Sequence, residues 1–129
     1  MSLKSKGINA ERELIHLFWK NGWSAIRVAG SGSQHYPSPD ILAGNVSRKI
    51  ALECKSSKDP KKYLEKAEIS QLQEFAKKFG AEAYIALRFD RQEWYFLSLD
   101  DLDQTKNNFV VDLALAKKKG MLFEELVKG

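Results

Sequence analysis

Asp40 and the pair Glu53 and Lys55 stand on either side of one turn-like segment, residues 44–47. Antiparallel strands pair residue for residue outward from their turn, so a β-hairpin closed there places Asp40 opposite Glu53. Side chains alternate between the two faces of a strand, and Lys55 therefore shares a face with Glu53. The other face of the second strand is apolar and is predicted to be core: Ile50, Leu52 and Cys54.

Two carboxylates beside an ammonium suit the hydrolysis of a phosphodiester. Carboxylates of Asp40 and Glu53 are oxygen ligands of the kind that Mg²⁺ takes. A bound Mg²⁺ acidifies a water into a nucleophile and neutralises the phosphate under attack. Lys55 would orient that water or stabilise negative charge on the phosphate oxygens. The alternative is an exposed strand edge on which Glu53 and Lys55 simply pair with each other.

Helical periodicity from about residue 9 to 21 predicts a first helix, with Asn9 as its N-cap and Gly22 just past its end. Leu14, Ile15 and Phe18 form the apolar stripe that would dock on a sheet. Glu11 falls on the same inward face, where a carboxylate is unfavourable without a partner. The alternative is that the first turn is exposed and that the helix dipole favours an acid there.

The motifs resemble the PD-(D/E)xK nuclease superfamily, and the wider pattern is similar to the archaeal Holliday junction resolvases. The resemblance runs from about residue 5 to about residue 100. It rests on these stretches: Lys6-Gly7, Glu11-Arg12-Glu13-Leu14, residues 28–33 (VAGSGS), Pro39-Asp40-Ile41, Glu53-x-Lys55 and Glu74-Phe75-Ala76.

The resemblance implies catalytic roles for Glu11, Ser31, Asp40, Glu53 and Lys55, with Glu11 completing a metal-binding cluster with the other two acids. It also implies Mg²⁺, for which Mn²⁺ substitutes, a four-way DNA junction as substrate, and a homodimer. The implied fold agrees with our own prediction from the residues, which is an α/β domain. Its central sheet of about five strands is mixed, mainly antiparallel, and flanked by helices.

Several further residues are predicted to contact DNA phosphates. Residues 29–38 form a Gly- and Ser-rich loop whose N–H and hydroxyl groups suit phosphate oxygens, or else a mobile connection. Residues 56–66 are rich in lysine and would track a DNA backbone, unless they form a solvated charge run. The predicted contacts are Lys6, Arg12, Arg27, Ser31, Ser33, Lys58, Lys61 and Lys62, with Arg27 matching a phosphate-contacting arginine of the resolvases.

In the second half of the chain, the spacing of apolar residues predicts a helix over residues 65–79, ending before Gly80. It also predicts two strands, over residues 83–89 and 93–99. This half has more aromatic residues than one small core needs. We therefore predict that some of them form the dimer interface, Phe75, Phe79 and Trp94, with over-rich core packing as the alternative. Residues 100–129 match no motif firmly, and they could dock a partner, join the dimer or be frayed.

The composition of the chain is that of one ordinary globular domain. The 129 residues are 43% hydrophobic and 29% charged, with a net charge of +4, which is compatible with nucleic acid without establishing it. A single cysteine, Cys54, excludes an internal disulfide and fits a reducing compartment. Residues 1–7 are predicted to be a flexible basic lead-in, no apolar run is long enough to span a membrane, and we expect a cytoplasmic, chromosome-associated protein.

The function predicted is a structure-selective, Mg²⁺-dependent endonuclease that makes paired symmetric nicks in a Holliday junction. One alternative is another PD-(D/E)xK nuclease, acting on damaged, flapped or sequence-marked DNA. The second is a non-catalytic junction-binding protein, against which the intact acidic cluster argues. Replication or recombination proteins are possible further partners, but no motif identifies them.

Overall fold

The computed structural model describes the backbone of residues 3–29 and 35–128, with side chains from residue 7 onward. Four α-helices and eight strands follow one another within these residues. They are α1 (Leu3–Lys20), β1 (Ser24–Arg27), β2 (Ile41–Gly44), β3 (Lys49–Ser57), β4 (Lys61–Glu65), α2 (Lys66–Phe79), β5 (Glu82–Phe89), β6 (Trp94–Ser98), β7 (Asp103–Gln104), β8 (Asn108–Asp112), α3 (Leu113–Lys119) and α4 (Phe123–Lys128).

Five strands form the central sheet, in the order β1-β2-β3-β5-β6. Only β3 and β5 run parallel, and the other three pairings are antiparallel. A parallel pairing needs a crossover, which is supplied here by β4 and α2. The predicted mixed, mainly antiparallel sheet of five strands with flanking helices is therefore confirmed.

Both faces of the central sheet are covered by apolar side chains. One core contains Leu14 and Phe18 of α1, which pack with Phe96 of β6 and Leu126 of α4. The other contains Leu72 of α2, packed with residues of β5, β8 and α3. Ala51 and Leu52 point to opposite faces and are both fully buried, so the face of β3 that carries Glu53 and Lys55 is also core at its other end.

The first helix begins earlier than the sequence pattern indicated. It starts at Leu3, so Asn9 lies inside it and is not an N-cap, and the predicted flexible lead-in over residues 1–7 is helical from Leu3 onward. The predicted end is confirmed. Gly22 has a φ of +81°, and the Trp23 N–H donates to the Phe18 carbonyl, which is the hydrogen bond of a Schellman motif.

The predicted elements of the second half are present with small shifts at their ends. Helix α2 ends at Phe79, where Gly80 takes a φ of +81° and its N–H donates to the Ala76 carbonyl. The hairpin of β5 and β6 turns at residues 90–93, where Arg91 has a φ of 61°. Among the described helices, none is long and apolar enough to cross a membrane.

A second, three-stranded sheet in the order β4-β8-β7 has no counterpart in the sequence prediction. The lysine-rich segment after β3 forms its first strand, and residues from the unmatched C-terminal part form the other two. Val111 of β8 and Ala116 of α3 are buried in one core, and Leu126 of α4 is buried in the other. The C-terminal segment therefore completes both cores of the domain.

Arg48, in the turn between β2 and β3, fastens this C-terminal segment to the sheet. Its Nε and Nη2 donate to the two carboxylate oxygens of Glu82 at 2.7 and 2.8 Å, and its Nη1 donates to the Leu126 carbonyl at 2.6 Å. The guanidinium lies 5.2 Å from the centre of the Trp23 ring. The Arg48 side chain is 16% exposed and that of Glu82 is 40% exposed, so solvent screens this ion pair only in part.

Replacing Arg48 by Met is expected to lower the free energy of unfolding by about 2–4 kcal/mol, because Glu82 and the Leu126 carbonyl lose their partner. The hydrogen bond from Arg48 lowers the pKa of Glu82 below its ordinary 4.5, so this stability is present at neutral pH and is lost as the pH falls through the lowered value. Urea unfolding measures the change. Lys77→Met, at an exposed position, is the control and should change the free energy of unfolding by less than about 0.5 kcal/mol. A loss below about 1 kcal/mol for Arg48→Met would contradict a stabilising role of Arg48.

Candidate active site

The hairpin of β2 and β3 brings Asp40 and Glu53 together at one end of the central sheet. Ile41 pairs with Leu52, so Asp40, one residue before β2, stands opposite Glu53, as the sequence predicted. The Asp40 N–H donates to the Leu52 carbonyl at 2.8 Å, and the Cys54 N–H donates to Asp40 Oδ2 at 2.8 Å. The preceding Pro39 is buried and fixes φ where the chain enters the strand.

Burial and the neighbouring carboxylate of Asp40 act together on Glu53. Burial raises the pKa of Glu53 to about 9, and a hydrogen bond with Asp40 and repulsion by its charge act in the same direction. Lys55 opposes the shift. A second carboxylate beside Glu53 therefore disfavours its charged form. A divalent cation bound between the two side chains would attract both carboxylates and offset this repulsion.

Asp40 and Glu53 therefore fit a hard divalent cation by their chemistry, since both offer carboxylate oxygens from rigid strand positions. Within residues 7–29 and 35–128, no group of three or more His, Cys, Asp or Glu side chains is arranged to hold a metal ion. The predicted metal ligands Asp40 and Glu53, and Glu11 as the third, therefore stay predictions.

Glu11 nevertheless lies in the electrostatic field of the site. It is half-buried on the inward face of α1, as predicted, and burial raises the pKa of its carboxyl group. Repulsion by Asp40 raises this pKa further, while Arg27 at the end of β1 lowers it. The first helix and the first strand thus bring an acid and a guanidinium to the same end of the sheet as Asp40.

Lys55 is held by an acid that the sequence did not reveal. Its Nζ donates to Glu68 Oε2, and the two side chains are 22% and 30% exposed. Burial tends to lower the pKa of Lys55, but the hydrogen bond and the charge of Glu68 outweigh it, so the net shift is upward. Lys55 and Glu68 lie 13 positions apart in the sequence, with β4 between them, and no local sequence pattern connects them.

A cleft with a volume of about 830 Å³ opens beside the site. Its lining includes Glu11, Lys55 and Lys58, and also Arg88, Asp90 and Arg91. Sequence analysis missed Arg88 and Arg91, because they belong to the C-terminal end of β5 and to the turn that follows it. The cleft therefore places four cationic side chains in one cavity with Glu11 and Asp90.

The other predicted DNA contacts differ in their exposure to solvent. Arg12, Lys58 and Lys61 are exposed, while Arg27 and Lys62 are partly buried. Ser31, Ser33 and the side chain of Lys6 lie outside the described residues. Their predicted roles therefore stay predictions.

The predicted dimer residues divide into two groups. Phe75 and Phe79 of α2 stack with their ring centres 5.3 Å apart, and Phe79 is 48% exposed. Trp94 is only 5% exposed and belongs to the core beside α1, so its assignment to a dimer interface was wrong. Tyr95 and Phe96 are also buried, because the two cores on either side of the sheet absorb more aromatic surface than a single core would.

A mixed sheet with Pro-Asp at the start of one strand and Glu-x-Lys on its antiparallel neighbour is the core of the PD-(D/E)xK nucleases. Comparison with known proteins agrees and is more specific. The family described as archaeal Holliday junction resolvase (Hjc) matches residues 2–129. The chain belongs to this family.

Two relatives and one solved structure illustrate the similarity. The crossover junction endodeoxyribonuclease Hjc of Archaeoglobus fulgidus is 44% identical over 95% of this chain and 96% of its own length. The protein of the same name from Sulfolobus acidocaldarius is 37% identical over 99% of this chain and 90% of its own. The crystal structure of Archaeoglobus fulgidus Hjc, described as a Holliday junction resolvase from an archaeal hyperthermophile, superposes with a TM-score of 0.87 at 42% identity, covering 93% of this chain and 98% of the other.

Proposed function

We propose that this chain is a structure-selective endonuclease that resolves four-way DNA junctions by paired symmetric nicks. The observation that carries the proposal is the meeting of Asp40, Glu53 and Lys55 at the end of one hairpin, in a chain of the resolvase family. Membership in that family implies junction DNA as substrate and a divalent metal ion as cofactor. A protein that only bound junctions would gain nothing from two acids facing a phosphate.

Each residue of the site has a distinct task in this proposal. Asp40 and Glu53 would hold the ion, which we propose to be Mg²⁺, with Mn²⁺ as a substitute. When bound, the ion neutralises the phosphate and lowers the pKa of a coordinated water. Lys55 donates N–H groups to the attacking water or to a phosphate oxygen, where negative charge develops. Glu11 adds negative charge to the cluster, and Ser31 positions the scissile phosphate.

Binding is proposed to depend on phosphates and on junction shape. Lys58 lines the cleft, and Arg12, Arg27, Lys61 and Lys62 are proposed to add positive charge that attracts DNA without reading its sequence. Lys6 and Ser33 are proposed to add contacts of the same kind. Nothing in the described part of the chain is a helix placed to read bases in a groove, so selectivity would come from the bent geometry of the junction. A chromosomal substrate also favours a cytoplasmic location.

The working form is proposed to be a homodimer built on α2. The stacked rings of Phe75 and Phe79, with Tyr36 and Pro37, line an apolar groove on the surface of this helix. A four-way junction has two-fold symmetry, and a C2 dimer places two identical sites at a defined separation. Paired nicks on opposing strands then follow from the symmetry of the enzyme.

The proposal is tested by incubating the purified protein with a labelled immobile four-way junction, with and without Mg²⁺. We expect symmetric nicks in two opposing strands in Mg²⁺ and none in its absence. A linear duplex and a flap of the same sequence serve as controls and should remain intact. Cutting of the duplex or flap would agree with the proposed site residues but would contradict the four-way junction as the specific substrate. Tight binding without cutting in Mg²⁺ or Mn²⁺ would refute the catalytic roles.

A further inference from the structure

Glu68 has a position that the sequence motifs do not account for. It lies in the first turn of α2 and is followed directly by Ile69, which is 5% exposed and belongs to the core between α2 and the sheet. This anchoring holds the backbone of Glu68 beside β3. There its Oε2 accepts the hydrogen bond from Lys55 Nζ.

The first turn of a helix is a favourable place for a negative charge. Helix α2 spans 14 residues, and no side chain of its N-cap residue, Glu65, caps the first turn. The exposed N–H groups of that turn and the helix dipole therefore stabilise an acid there. At the same time Glu68 adds a negative charge close enough to Glu53 to disfavour its ionisation. An acid beside an acidic pair is unfavourable unless it binds a cation, and the cation that it binds is Lys55.

We propose that Glu68 is the positioning residue for Lys55, which holds the ammonium beside Asp40 and Glu53 with its remaining N–H donors directed into the cleft. An ammonium has three donors and Glu68 engages one, so two are available for the attacking water or a phosphate oxygen. Without Glu68 the four-carbon side chain would sample many rotamers, and the productive one would be a minor fraction. This inference rests on the proposed function, because Lys55 is assigned there.

The test compares Glu68→Ala, Glu68→Gln, Lys55→Ala and the double variant Lys55→Ala/Glu68→Ala. Glu65→Ala, an exposed acid at the preceding N-cap position, is the matched control. With junction and Mg²⁺ saturating, Glu68→Ala should cut about 10–100-fold more slowly in a single turnover, as loss of a supporting residue typically does. Glu68→Gln keeps an acceptor for the Lys55 N–H and should recover most of the rate. Junction affinity should be unchanged in Glu68→Ala, Glu68→Gln and Glu65→Ala.

Two comparisons separate positioning from a general structural role. In the Lys55→Ala background, Glu68→Ala should cause no further loss, because the residue that it positions is already absent. The Mg²⁺ concentration for half-maximal cutting should also be the same with Glu68→Ala as in the parent. The proposal would be overturned if the two substitutions slowed cutting independently, so that the double variant were slower than Lys55→Ala. It would also be overturned if Glu68→Ala raised the half-maximal Mg²⁺ concentration severalfold, and that result would make Glu68 a metal ligand.

A measurement without metal or DNA tests the geometry by itself. The rate at which an amine-reactive reagent acylates Lys55, followed by mass spectrometry, should rise severalfold in Glu68→Ala, because the ammonium loses its partner and its shielding. Equal rates in parent and variant would refute the ion pair. If the parent protein fails to cut the junction, the proposed function fails, and the acylation result still decides whether Glu68 holds Lys55.

Discussion

Asp40→Asn is expected to slow junction cutting by about a thousandfold while leaving junction binding within about threefold of the parent. The amide oxygen of Asn can still accept the hydrogen bond from the Cys54 N–H, which Asp40 Oδ2 accepts at 2.8 Å, so the hairpin keeps its geometry. The variant lacks the negative charge opposite Glu53. A neutral amide is a weak ligand for a hard divalent cation, and the site would therefore lose its affinity for Mg²⁺.

The measurement is a single-turnover rate on a preformed junction complex, together with the junction Kd from a gel-shift titration. Thermal unfolding with and without Mg²⁺ gives a second readout, since an ion that binds only the folded protein raises the unfolding temperature. Mg²⁺ should stabilise the parent and not Asp40→Asn. The exposed Asp103→Asn is the control and should behave as the parent in every assay. If Asp40→Asn cut the junction at the parental rate, the assignment of Asp40 to the active site would be wrong.

Phe79→Glu is expected to convert the proposed dimer into a monomer at micromolar concentration. Phe79 is the last residue of α2, and its ring stacks on Phe75 at the exposed groove. A C2 interface repeats every contact, so one substitution introduces two charges into an apolar surface. The monomer itself should tolerate the change, because Phe79 is 48% exposed and Lys49 Nζ already lies 5.4 Å from its ring centre, where it would neutralise a glutamate.

Sedimentation equilibrium measures the mass, and a supercoiled plasmid with an extruded cruciform measures the coupling of the two nicks. A dimer that cuts both strands in one encounter gives linear plasmid, whereas independent monomers give nicked circles first. Phe79→Glu should shift the early product from linear to nicked. Tyr63→Glu, an exposed aromatic residue on the second sheet, is the control for oligomeric state and should sediment as the parent. A dimeric Phe79→Glu would place the interface elsewhere.

Local rules account for the parts of the site that the sequence determined. Asp40 stands opposite Glu53 because pairing proceeds residue by residue from a turn, and Lys55 follows Glu53 on the same face because strand side chains alternate. Helix α2 ends before Gly80 because glycine adopts a positive φ without a steric penalty. Each of these inferences uses residues that are close in sequence or joined by one turn.

Only the tertiary structure decided the contacts between distant segments. Glu68 reaches Lys55 because the crossover through β4 and α2 returns the chain over β3, and spacing along the chain does not encode that path. Trp94 is buried because α1 and α4 enclose a core on its side of the sheet, which its own strand pattern cannot show. Residues 108–112 form a strand because β4 offers them a partner. Pairing between remote segments depends on the summed packing of the whole chain. For that reason the sequence located the acidic pair and Glu11, whereas only the fold located Glu68, Arg88 and Arg91.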